Sequence, residues 1–291
     1  IFMYSIICCS VNPELAASLK QNIAETIGAP FEFIAFDNRK YGYGICKVYN
    51  LCAKQAQYDL LCFVHEDVRF LTQGWGKLLA PKLGEAKCGV IGFAGSTVKL
   101  RQLTGWNTCR KALRTHYVQY MKGRKHKQCV NPEENEYSPV VTLDGLCLIT
   151  RREIWERTPF DEDTFRGFHC YDLDFSLAVC LRHVNYVCHM VLVEHFSEGA
   201  FSLSWLEELK RLHAKWNKNL PMYAFSASKQ DEKYYERLGE AGFIRFMWQK
   251  GHFEKASFST AVSYLKHYPL HVASWGLLLK YCKYKFRHRV H

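Results

Sequence analysis

The stretch Tyr58-Asp-Leu-Leu-Cys-Phe-Val-His-Glu-Asp67-Val decides the fold, because an apolar strand runs directly into a cluster of polar residues. A continuous run of Leu, Phe and Val is typical of a strand that is buried on both faces of a parallel sheet. Ligands of open α/β sheets bind at the carboxyl ends of the strands, which is where Glu66 and Asp67 fall. Adjacent carboxylates repel each other unless a cation or water surrounds them, so the pattern indicates either a metal site or a solvated turn.

The segments around this strand alternate between strand and helix. Strand patterns cover residues 3–11, 31–36 and 89–95, and helix patterns cover residues 13–27, 45–57 and 74–84. Right-handed crossovers between successive strands place those strands side by side in one direction. The sequence therefore predicts an α/β protein with a mainly parallel sheet flanked by helices.

The alternation stops at residue 96. Residues 96–137 include the basic stretch Lys122-Gly-Arg-Lys-His-Lys127, and we predict an insertion with mobile parts there. Strand patterns at 140–143 and 146–150 then flank Asp144-Gly145, a dipeptide typical of a tight hairpin turn. This part of the chain is accordingly predicted to be a basic loop followed by a hairpin.

The rest of the chain divides at Pro221. A helix to about residue 183, a strand at 186–194 and a helix at 203–218 complete a predicted first domain, residues 1–220. Residues 221–291 show helical periodicity and are predicted to be a C-terminal helical appendage. Its last segment mixes apolar residues with Lys and Arg, which is typical of an amphipathic helix at an anionic membrane and equally of a small packed bundle.

The composition favours an anionic partner. The formal net charge is +11 and the isoelectric point is about 9.0, which suits nucleotide phosphates, acidic glycans, phospholipid surfaces or nucleic acid. Thirteen cysteines form no Cys-x-x-Cys pair, so we predict free thiols in a cytoplasmic protein. No run approaches the roughly 18 apolar residues that a membrane-spanning helix requires.

Several common motifs are absent from the sequence. It contains no Gly-x-x-x-x-Gly-Lys, His-Glu-x-x-His or Gly-x-Ser-x-Gly, which removes the main support for an ATPase, a zinc protease or a serine hydrolase. Gly42-Tyr-Gly44 begins like a dinucleotide-binding loop, but Lys47 stands where the third glycine belongs. The basic residues are dispersed and form no recognised nucleic-acid module, so nucleic acid is not an expected partner.

Polar residues end several strands at one edge of the predicted sheet: Ser10, Asp37, Asp67 and His195. With Leu143-Asp-Gly145, Phe160-Asp-Glu162, Phe168-His-Cys-Tyr-Asp-Leu-Asp174 and Glu194-His-Phe-Ser-Glu-Gly199, the chain resembles the nucleotide-sugar glycosyltransferases of the GT-A fold. The resemblance covers roughly residues 3–220. It is greatest to the glycosyltransferase-like family that includes a streptomycin-biosynthesis protein, related to glycosyltransferase family two. It implies a GT-A type, Rossmann-like sheet.

By this resemblance, Asp67 matches the last position of the Asp-x-Asp motif, whose carboxylate holds Mg²⁺ or Mn²⁺ against the nucleotide diphosphate. A hard cation there neutralises charge on the leaving diphosphate. His65 replaces the first Asp of the motif, and Glu66 either compensates on the donor side or faces solvent. His195 is implied to be a further metal ligand or a diphosphate contact, unless it is an ordinary strand-end histidine. Imidazole favours Mn²⁺ over Mg²⁺.

The resemblance also implies a catalytic base. Asp172 matches the general base of inverting relatives, which takes the proton of the acceptor hydroxyl and contributes ~10²–10⁴-fold to the rate. Asp174 is two residues further along the same predicted helix, about 200° around its axis, so only one of the two acids can face the cleft. The alternative role for Asp172 is capping of that helix.

Further residues are implied to contact the substrates. The predicted nucleotide side comprises Ser10, Asn12, Asp37, Asn38 and Asn50. The predicted donor and acceptor side comprises Glu66, Asp144, Gly145, His169 and Tyr171. Turn formation and core packing are the competing explanations for these residues.

Together these implications predict metal-dependent, inverting transfer of a sugar from a nucleotide-diphosphate sugar to a hydroxyl acceptor. The expected acceptor is a glycan or lipid-linked glycan of a polysaccharide pathway, and the basic last helix is an expected peripheral contact to the inner face of the membrane. Two alternatives stay open. A noncatalytic module that binds nucleotide or glycan is favoured by the His65 replacement. A sugar nucleotidyltransferase would need a Gly-rich phosphate loop after the first strand, and Ser10-Val-Asn-Pro-Glu14 offers none.

Overall fold

The computed structural model describes residues 2–107, 109–121, 123–197, 203–249 and 262–287. The strands are, in chain order, β1 (Tyr4–Ser10), β2 (Phe31–Asp37), β3 (Leu60–Val64), β4 (Val68–Phe70), β5 (Cys88–Gly92), β6 (Ala94–Ser96), β7 (Val98–Lys99), β8 (Leu113–Met121), β9 (Arg124–Val130), β10 (Tyr137–Val140), β11 (Thr142–Leu143), β12 (Cys147–Arg151), β13 (Val184–Cys188), β14 (Val193–His195) and β15 (Met222–Tyr223). The helices are α1 (Pro13–Thr26), α2 (Ile45–Gln55), α3 (Trp75–Leu83), α4 (Arg152–Arg157), α5 (Tyr171–Cys180), α6 (Leu203–Trp216), α7 (Lys229–Gln249) and α8 (Val272–Arg287).

Within the described residues, seven strands form the main sheet in the order β10-β13-β5-β12-β3-β1-β2. β1 pairs in parallel with β2 and β3, and β13 pairs in parallel with β5. β12 lies antiparallel to both β3 and β5, and β10 lies antiparallel to β13. All strands except β10 and β12 therefore run in one direction, which confirms the predicted α/β class with a mainly parallel sheet.

Local sequence signals explain the first crossover of this sheet. The Asn12 side chain caps α1 by accepting from the backbone N–H of Glu14 at 3.1 Å and of Leu15 at 3.3 Å. Pro13 occupies the first helical turn, where its missing N–H costs no hydrogen bond. Gly28, with a φ of 65°, follows the helix and lets the chain turn back into β2. The predicted strand, helix and strand are therefore present at the start of the chain.

Two apolar cores cover the two faces of the main sheet. Because side chains alternate along a strand, Leu61 and Phe63 of β3 pack among residues of α2, α5 and α6. Cys62 and Val64 of the same strand pack on the other side with residues of α1, α3 and a second sheet. This double burial is what the continuous apolar run in β3 predicts.

The second sheet has the order β11-β6-β8-β14-β4, with β9 paired to β8. Within the described residues, six short connections carry the chain between the two sheets: β3 to β4, β5 to β6, β9 to β10, β10 to β11, β11 to β12 and β13 to β14. Three predicted strands, residues 89–95, 140–143 and 186–194, are each divided at such a crossing. The apolar pattern does not reveal the break, because β5 and β6 are both fully buried.

Two further local predictions were wrong. Asp144-Gly145 does not close a hairpin, because β11 pairs with β6 whereas β12 lies between β3 and β5. The basic stretch is not a loop, because residues 124–127 lie in β9, which forms a hairpin with β8; β8 also pairs with β6 and β14. The basic residues Arg124–Lys127 of β9 are exposed at the edge of the sheet, which gives this strand the composition of a loop.

The region after Pro221 is attached to the rest of the protein by specific contacts. β15 pairs with β7, and Tyr235 of α7 packs with Val98 and Leu100. None of the helices in the described part of the chain is both long and apolar enough to cross a membrane. All thirteen cysteines are free thiols, and most of them are buried.

Candidate active site

The crossings between the two sheets bring polar residues of the predicted site together. One crossing holds His65, Glu66 and Asp67, another holds Asp144 and Gly145, and His195 ends β14. The backbone N–H of His65 donates to the carbonyl of Leu146 at 3.1 Å, which fastens the first crossing to the second. His195 is paired with Val68, the residue that follows Asp67. A cluster of ionisable groups therefore forms where the sheets meet.

Three side chains of this cluster have the arrangement of a metal site. The ligand atoms of His65, Asp67 and His195 all lie within 4.8 Å of one another. His195 Nε2 is 3.5 Å from Asp67 Oδ1, longer than an ordinary hydrogen bond, and it has no hydrogen-bond partner within the described ranges. Ligands about 2.1 Å from a divalent ion lie about 3 to 4.2 Å apart in an octahedron. The donor set suits a divalent cation, and the distance of 3.5 Å between His195 and Asp67 falls within this range.

The electrostatics of His65 and Asp67 suit metal binding, whereas His195 would have to release a proton to an incoming ion more often than a free imidazole. Burial, together with the nearby His195, lowers the pKa of His65, which keeps its imidazole neutral. Burial alone would raise the pKa of Asp67, but His195 and His65 outweigh burial and lower it. Burial would lower the pKa of His195, and the Asp67 carboxylate reverses that effect. A neutral imidazole and an ionised carboxylate are the forms that bind metal ions.

Tyr171 links His65 to Asp172. The Tyr171 hydroxyl lies 2.6 Å from His65 Nε2 and donates to the Gly145 carbonyl at 3.0 Å. A carbonyl oxygen only accepts, so the Tyr171 hydroxyl donates its single proton to the Gly145 carbonyl. The hydrogen bond between Tyr171 and His65 must then use a proton on His65 Nε2. The Gly145 N–H in turn donates to Asp172 Oδ2 at 3.0 Å. This leaves His65 Nδ1 as the nitrogen of that ring with a lone pair for a metal ion.

Gly145 is required by this close packing. A Cβ atom at Gly145 would overlap the Tyr171 hydroxyl and would come within 3.1 Å of the Asp172 Cβ atom. Asp144 beside it accepts from the Leu146 N–H at 2.9 Å, as an aspartate in a turn commonly does. The dipeptide therefore holds the crossing between β11 and β12 against the start of α5.

The two acids of α5 have different surroundings. Burial, reinforced by Asp144, raises the pKa of Asp172 to about 7, so this carboxylate can take up a proton near neutral pH. Asp174 accepts from Trp216 Nε1 at 2.7 Å and from Lys215 Nζ at 2.8 Å, which ties α5 to α6. The N-cap of α5 is Cys170, so capping is not the role of Asp172.

Glu66 binds the loop between β1 and α1. Its carboxylate accepts from Ser10 Oγ at 2.7 Å and from the backbone N–H groups of Val11 and Asn12 at 3.2 and 3.0 Å. Ser10 and Asn12, two predicted nucleotide residues, are thereby held beside the residue that precedes Asp67. Glu66 neither lies free in solvent nor joins the metal group.

Asp37 ends β2 opposite Ser10 of β1, and Asn38 follows it. Asp37 is exposed and lies 2.6 Å from the Arg39 guanidinium, whose hydrogen bond lowers the pKa of Asp37 to about 2. The Asn38 N–H donates to the Ser10 carbonyl at 2.8 Å, and the Asn38 side chain binds the backbone of Tyr43. An open cleft of about 420 Å³ beside them is lined by Ser10, Pro13, Ala16, Ala17, Lys20, Phe33, Ala35, Asp37 and Arg39.

Asn50 is buried apart from these residues. Its Nδ2 donates to the Phe160 carbonyl and to Glu162, and its Oδ1 accepts from Trp155 Nε1 and the Phe160 N–H. These contacts use the full hydrogen-bonding capacity of the amide. Asn50 therefore holds the segment after α4 and has no group left for a nucleobase, contrary to the expectation from sequence.

The aromatic residues before α5 differ in exposure. Tyr171 is buried and contacts the site through His65 and Gly145, whereas His169 is half-buried, and burial lowers the pKa of His169. Phe168 is 52% exposed, and its ring centroid lies 5.6 Å from that of His65. Sequence reasoning missed Phe168 and treated His65 only as a departure from the motif. The ring-bearing residues from Phe168 to Tyr171 indicated an aromatic cluster, but the sequence did not show which of the rings is exposed.

Comparison with known proteins supports the same architecture. The profile of a family described as glycosyltransferase-like matches residues 5–198. No curated protein matches the sequence significantly. The mannosyltransferase PcManGT from Pyrobaculum calidifontis, solved with GDP-Man and Mn²⁺, is similar over 97% of this chain and 80% of its own, with 11% identity and a TM-score of 0.50.

Two other solved structures are similar at lower TM-scores. GalNAc-T7, solved with UDP, GalNAc and Mn²⁺, matches 83% of this chain with 8% identity and a TM-score of 0.47, and the chain spans 49% of its length. S. aureus TarS 1-349, solved with UDP-GlcNAc, matches 91% of this chain and 80% of its own, with 14% identity and a TM-score of 0.47. The family match covers more than half of the chain, and PcManGT shares its fold. The chain therefore belongs to the glycosyltransferase-like family and has the GT-A fold.

Proposed function

We propose that the protein transfers a sugar from a nucleotide-diphosphate sugar to a hydroxyl acceptor, with Mn²⁺ or Mg²⁺ held by His65, Asp67 and His195. The observation that carries the proposal is the connection of this metal group, through Tyr171 and Gly145, to Asp172. Family membership supports sugar transfer as the reaction. Kinship with the streptomycin-biosynthesis protein is part of the proposal.

The metal ion would neutralise the charge of the leaving diphosphate. Asp67 supplies the anionic ligand, and His195 Nε2 and His65 Nδ1 supply neutral nitrogen ligands. A site with two imidazoles selects Mn²⁺ over Mg²⁺, which prefers oxygen ligands. The Tyr171 hydroxyl fixes the His65 tautomer that leaves Nδ1 free for the ion.

The nucleotide would lie along the ends of β1 and β2. Asp37, ionised because of Arg39, can accept hydrogen bonds from a nucleobase, and the neighbouring cleft has room for a nucleoside. Asn38 and Asn12 hold the two loops on either side of Ser10. Glu66 positions the first of these loops against the metal group.

The acceptor would approach from the side of α5. Asp172 takes the proton of the acceptor hydroxyl as the hydroxyl oxygen attacks the anomeric carbon of the donor. The attack comes from the side opposite the leaving diphosphate, so the configuration at that carbon inverts. Asp144 and Gly145 border the donor sugar, and the exposed face of Phe168, with His169, offers an aromatic surface for a sugar ring. We place the acceptor among glycans and lipid-linked glycans of a polysaccharide pathway, in the cytoplasm.

A panel of nucleotide sugars tests this function. The protein is incubated with each donor and Mn²⁺, and the released nucleoside diphosphate is measured with and without EDTA. Release from one donor that EDTA abolishes supports a glycosyltransferase, with water as the slow acceptor. Binding of a nucleoside diphosphate without release from any donor would instead indicate a noncatalytic module.

Tyr171→Phe is expected to weaken Mn²⁺ binding about 10-fold, because removal of an outer-shell partner of a metal ligand typically costs 10–100-fold in affinity. The affinity is measured by electron paramagnetic resonance of free Mn²⁺. Tyr4→Phe is the matched control, since the buried Tyr4 hydroxyl also donates to a glycine carbonyl, that of Gly76, at 2.6 Å. Unchanged Mn²⁺ affinity in Tyr171→Phe would show that His65 does not bind the ion through Nδ1.

A further inference from the structure

Among the described side chains of the last helix, those on one side pack on the protein. Leu277 of α8 is buried against Ala241 and Ile244 of α7 and against Tyr264. Ser274, one turn before Leu277, is also buried, and its hydroxyl donates to the Tyr268 carbonyl at 2.6 Å. One side of α8 is therefore fixed in a small apolar core.

The opposite side of α8 carries large apolar side chains in solvent. Val272, Trp275 and Leu279 are 85%, 54% and 62% exposed, and Leu270, just before the helix, is 98% exposed. Residues 272, 275 and 279 share one stripe, because positions three and four apart stack along a helix. We call these four residues the outer face. The Trp275 indole N–H donates to the Pro269 carbonyl at 2.9 Å, which anchors the ring at the start of this stripe.

Lys283 places a positive charge at the end of this stripe. Lys283 is exposed and continues the stripe one turn after Leu279. Every charged residue of the sequence after Glu254 is basic: Lys255, Lys266, Lys280, Lys283, Lys285, Arg287 and Arg289. An apolar stripe with Trp and Leu that continues into Lys283, in a part of the sequence whose charged residues are all basic, is complementary to an anionic, partly apolar surface.

From these features we infer that the outer face docks on an anionic phospholipid bilayer, with Leu270, Val272, Trp275 and Leu279 in the interface and Lys283 at the headgroups. Amphipathic helices that lie in the membrane plane combine an apolar face rich in Trp and Leu with Lys and Arg. The core of a protein–protein interface, in contrast, is depleted of Lys. The inference goes beyond the proposed function and does not depend on it, because docking involves neither donor nor metal ion.

Vesicle co-sedimentation of the full chain tests the inference. Binding to vesicles that contain phosphatidylglycerol is expected to exceed binding to pure phosphatidylcholine vesicles at least tenfold, and to weaken as salt rises. The double variant Val272→Ser/Leu279→Ser should lose at least tenfold in affinity, because each buried methylene group contributes to insertion. Lys283→Gln should lose roughly fivefold, the effect of one basic residue near an anionic surface.

Matched substitutions elsewhere distinguish docking by the outer face from nonspecific adsorption of the protein to vesicles. Leu15 and Leu181 are also exposed, at 38% and 53%, so Leu15→Ser/Leu181→Ser removes two exposed apolar side chains from another part of the protein and should leave vesicle binding unchanged. Lys210→Gln is the corresponding control for charge, since Lys210 is 52% exposed on α6. Circular dichroism of each variant verifies that the helices persist.

Several results would overturn the inference. Equal binding to both kinds of vesicle, or equal losses in the test and control variants, would show that the outer face has no special role. Failure of the wild type to bind vesicles, combined with a dimer that Val272→Ser/Leu279→Ser abolishes in sedimentation velocity, would assign the face to a second copy of the chain. None of these results would bear on nucleotide-sugar turnover, so the two proposals can fail separately.

Discussion

Asp172→Asn is expected to lower turnover by ~10²–10⁴-fold, the usual contribution of a general base, while the protein stays folded. Asparagine keeps an oxygen that can accept from the Gly145 N–H, so the packing between α5 and the crossing is preserved. The wild type should also gain about tenfold in turnover between pH 6 and pH 8, because the pKa of Asp172 is raised to about 7 and only the ionised carboxylate accepts a proton. The variant should lack this rise.

Asp174→Asn is the matched control for this prediction. This substitution also removes one negative charge from α5, two residues after Asp172. It weakens the contact with Lys215 on α6 and leaves the candidate site unchanged. We expect a loss of about 1–3 kcal/mol in the free energy of unfolding, the cost of leaving a buried polar partner poorly satisfied. Turnover per folded molecule should persist. Full activity of Asp172→Asn, or equal loss of turnover in both variants, would remove Asp172 from the mechanism.

Asp67→Ala is expected to reduce Mn²⁺ affinity by more than the 10–100-fold that loss of an outer-shell partner costs, because it removes the anionic ligand itself. Turnover should fall ~10³-fold, since a metal ion stabilises transition-state charge by several kcal/mol. Isothermal titration with Mn²⁺ and donor hydrolysis measure the two effects. The pKa of His195 should also fall in this variant, because the carboxylate that raises it is gone.

Asp163→Ala serves as the control for Asp67→Ala. Asp163 is exposed, so the substitution removes one negative charge without touching the metal group. Mn²⁺ affinity and turnover of Asp163→Ala should match those of the wild type. If Asp67→Ala bound Mn²⁺ as the wild type does, the ion would have to lie elsewhere, and the metal assignment would be lost.

Much of the main sheet could be predicted because its signals are local. The cap at Asn12, Gly28 after α1 and the apolar run before His65 each depend on a few neighbouring residues. The second sheet could not be predicted, because an apolar strand pattern shows burial without showing which sheet the strand joins. β5 and β6 are both fully buried, so the sequence has no mark where the chain crosses between sheets.

The same limit applies to the candidate site. Motif position led to Asp67 and His195, but the partner that orients His65 is Tyr171, 106 residues away along the chain. The family resemblance placed Asn50 at the nucleotide, although its amide is saturated by residues more than 100 positions away. Long-range pairing of polar groups decides both cases, and the sequence does not show that pairing.

The most direct test of the central claim is the thermal stability of the wild type with a panel of nucleoside diphosphates, with and without Mn²⁺. A ligand at ~100 times its dissociation constant stabilises the folded state by about 2.7 kcal/mol. If the protein is a metal-dependent nucleotide-sugar transferase, we expect a clear rise in its melting temperature with at least one nucleoside diphosphate, and only when Mn²⁺ is present. No rise with any diphosphate, or a rise that does not require the metal ion, would contradict the proposed site.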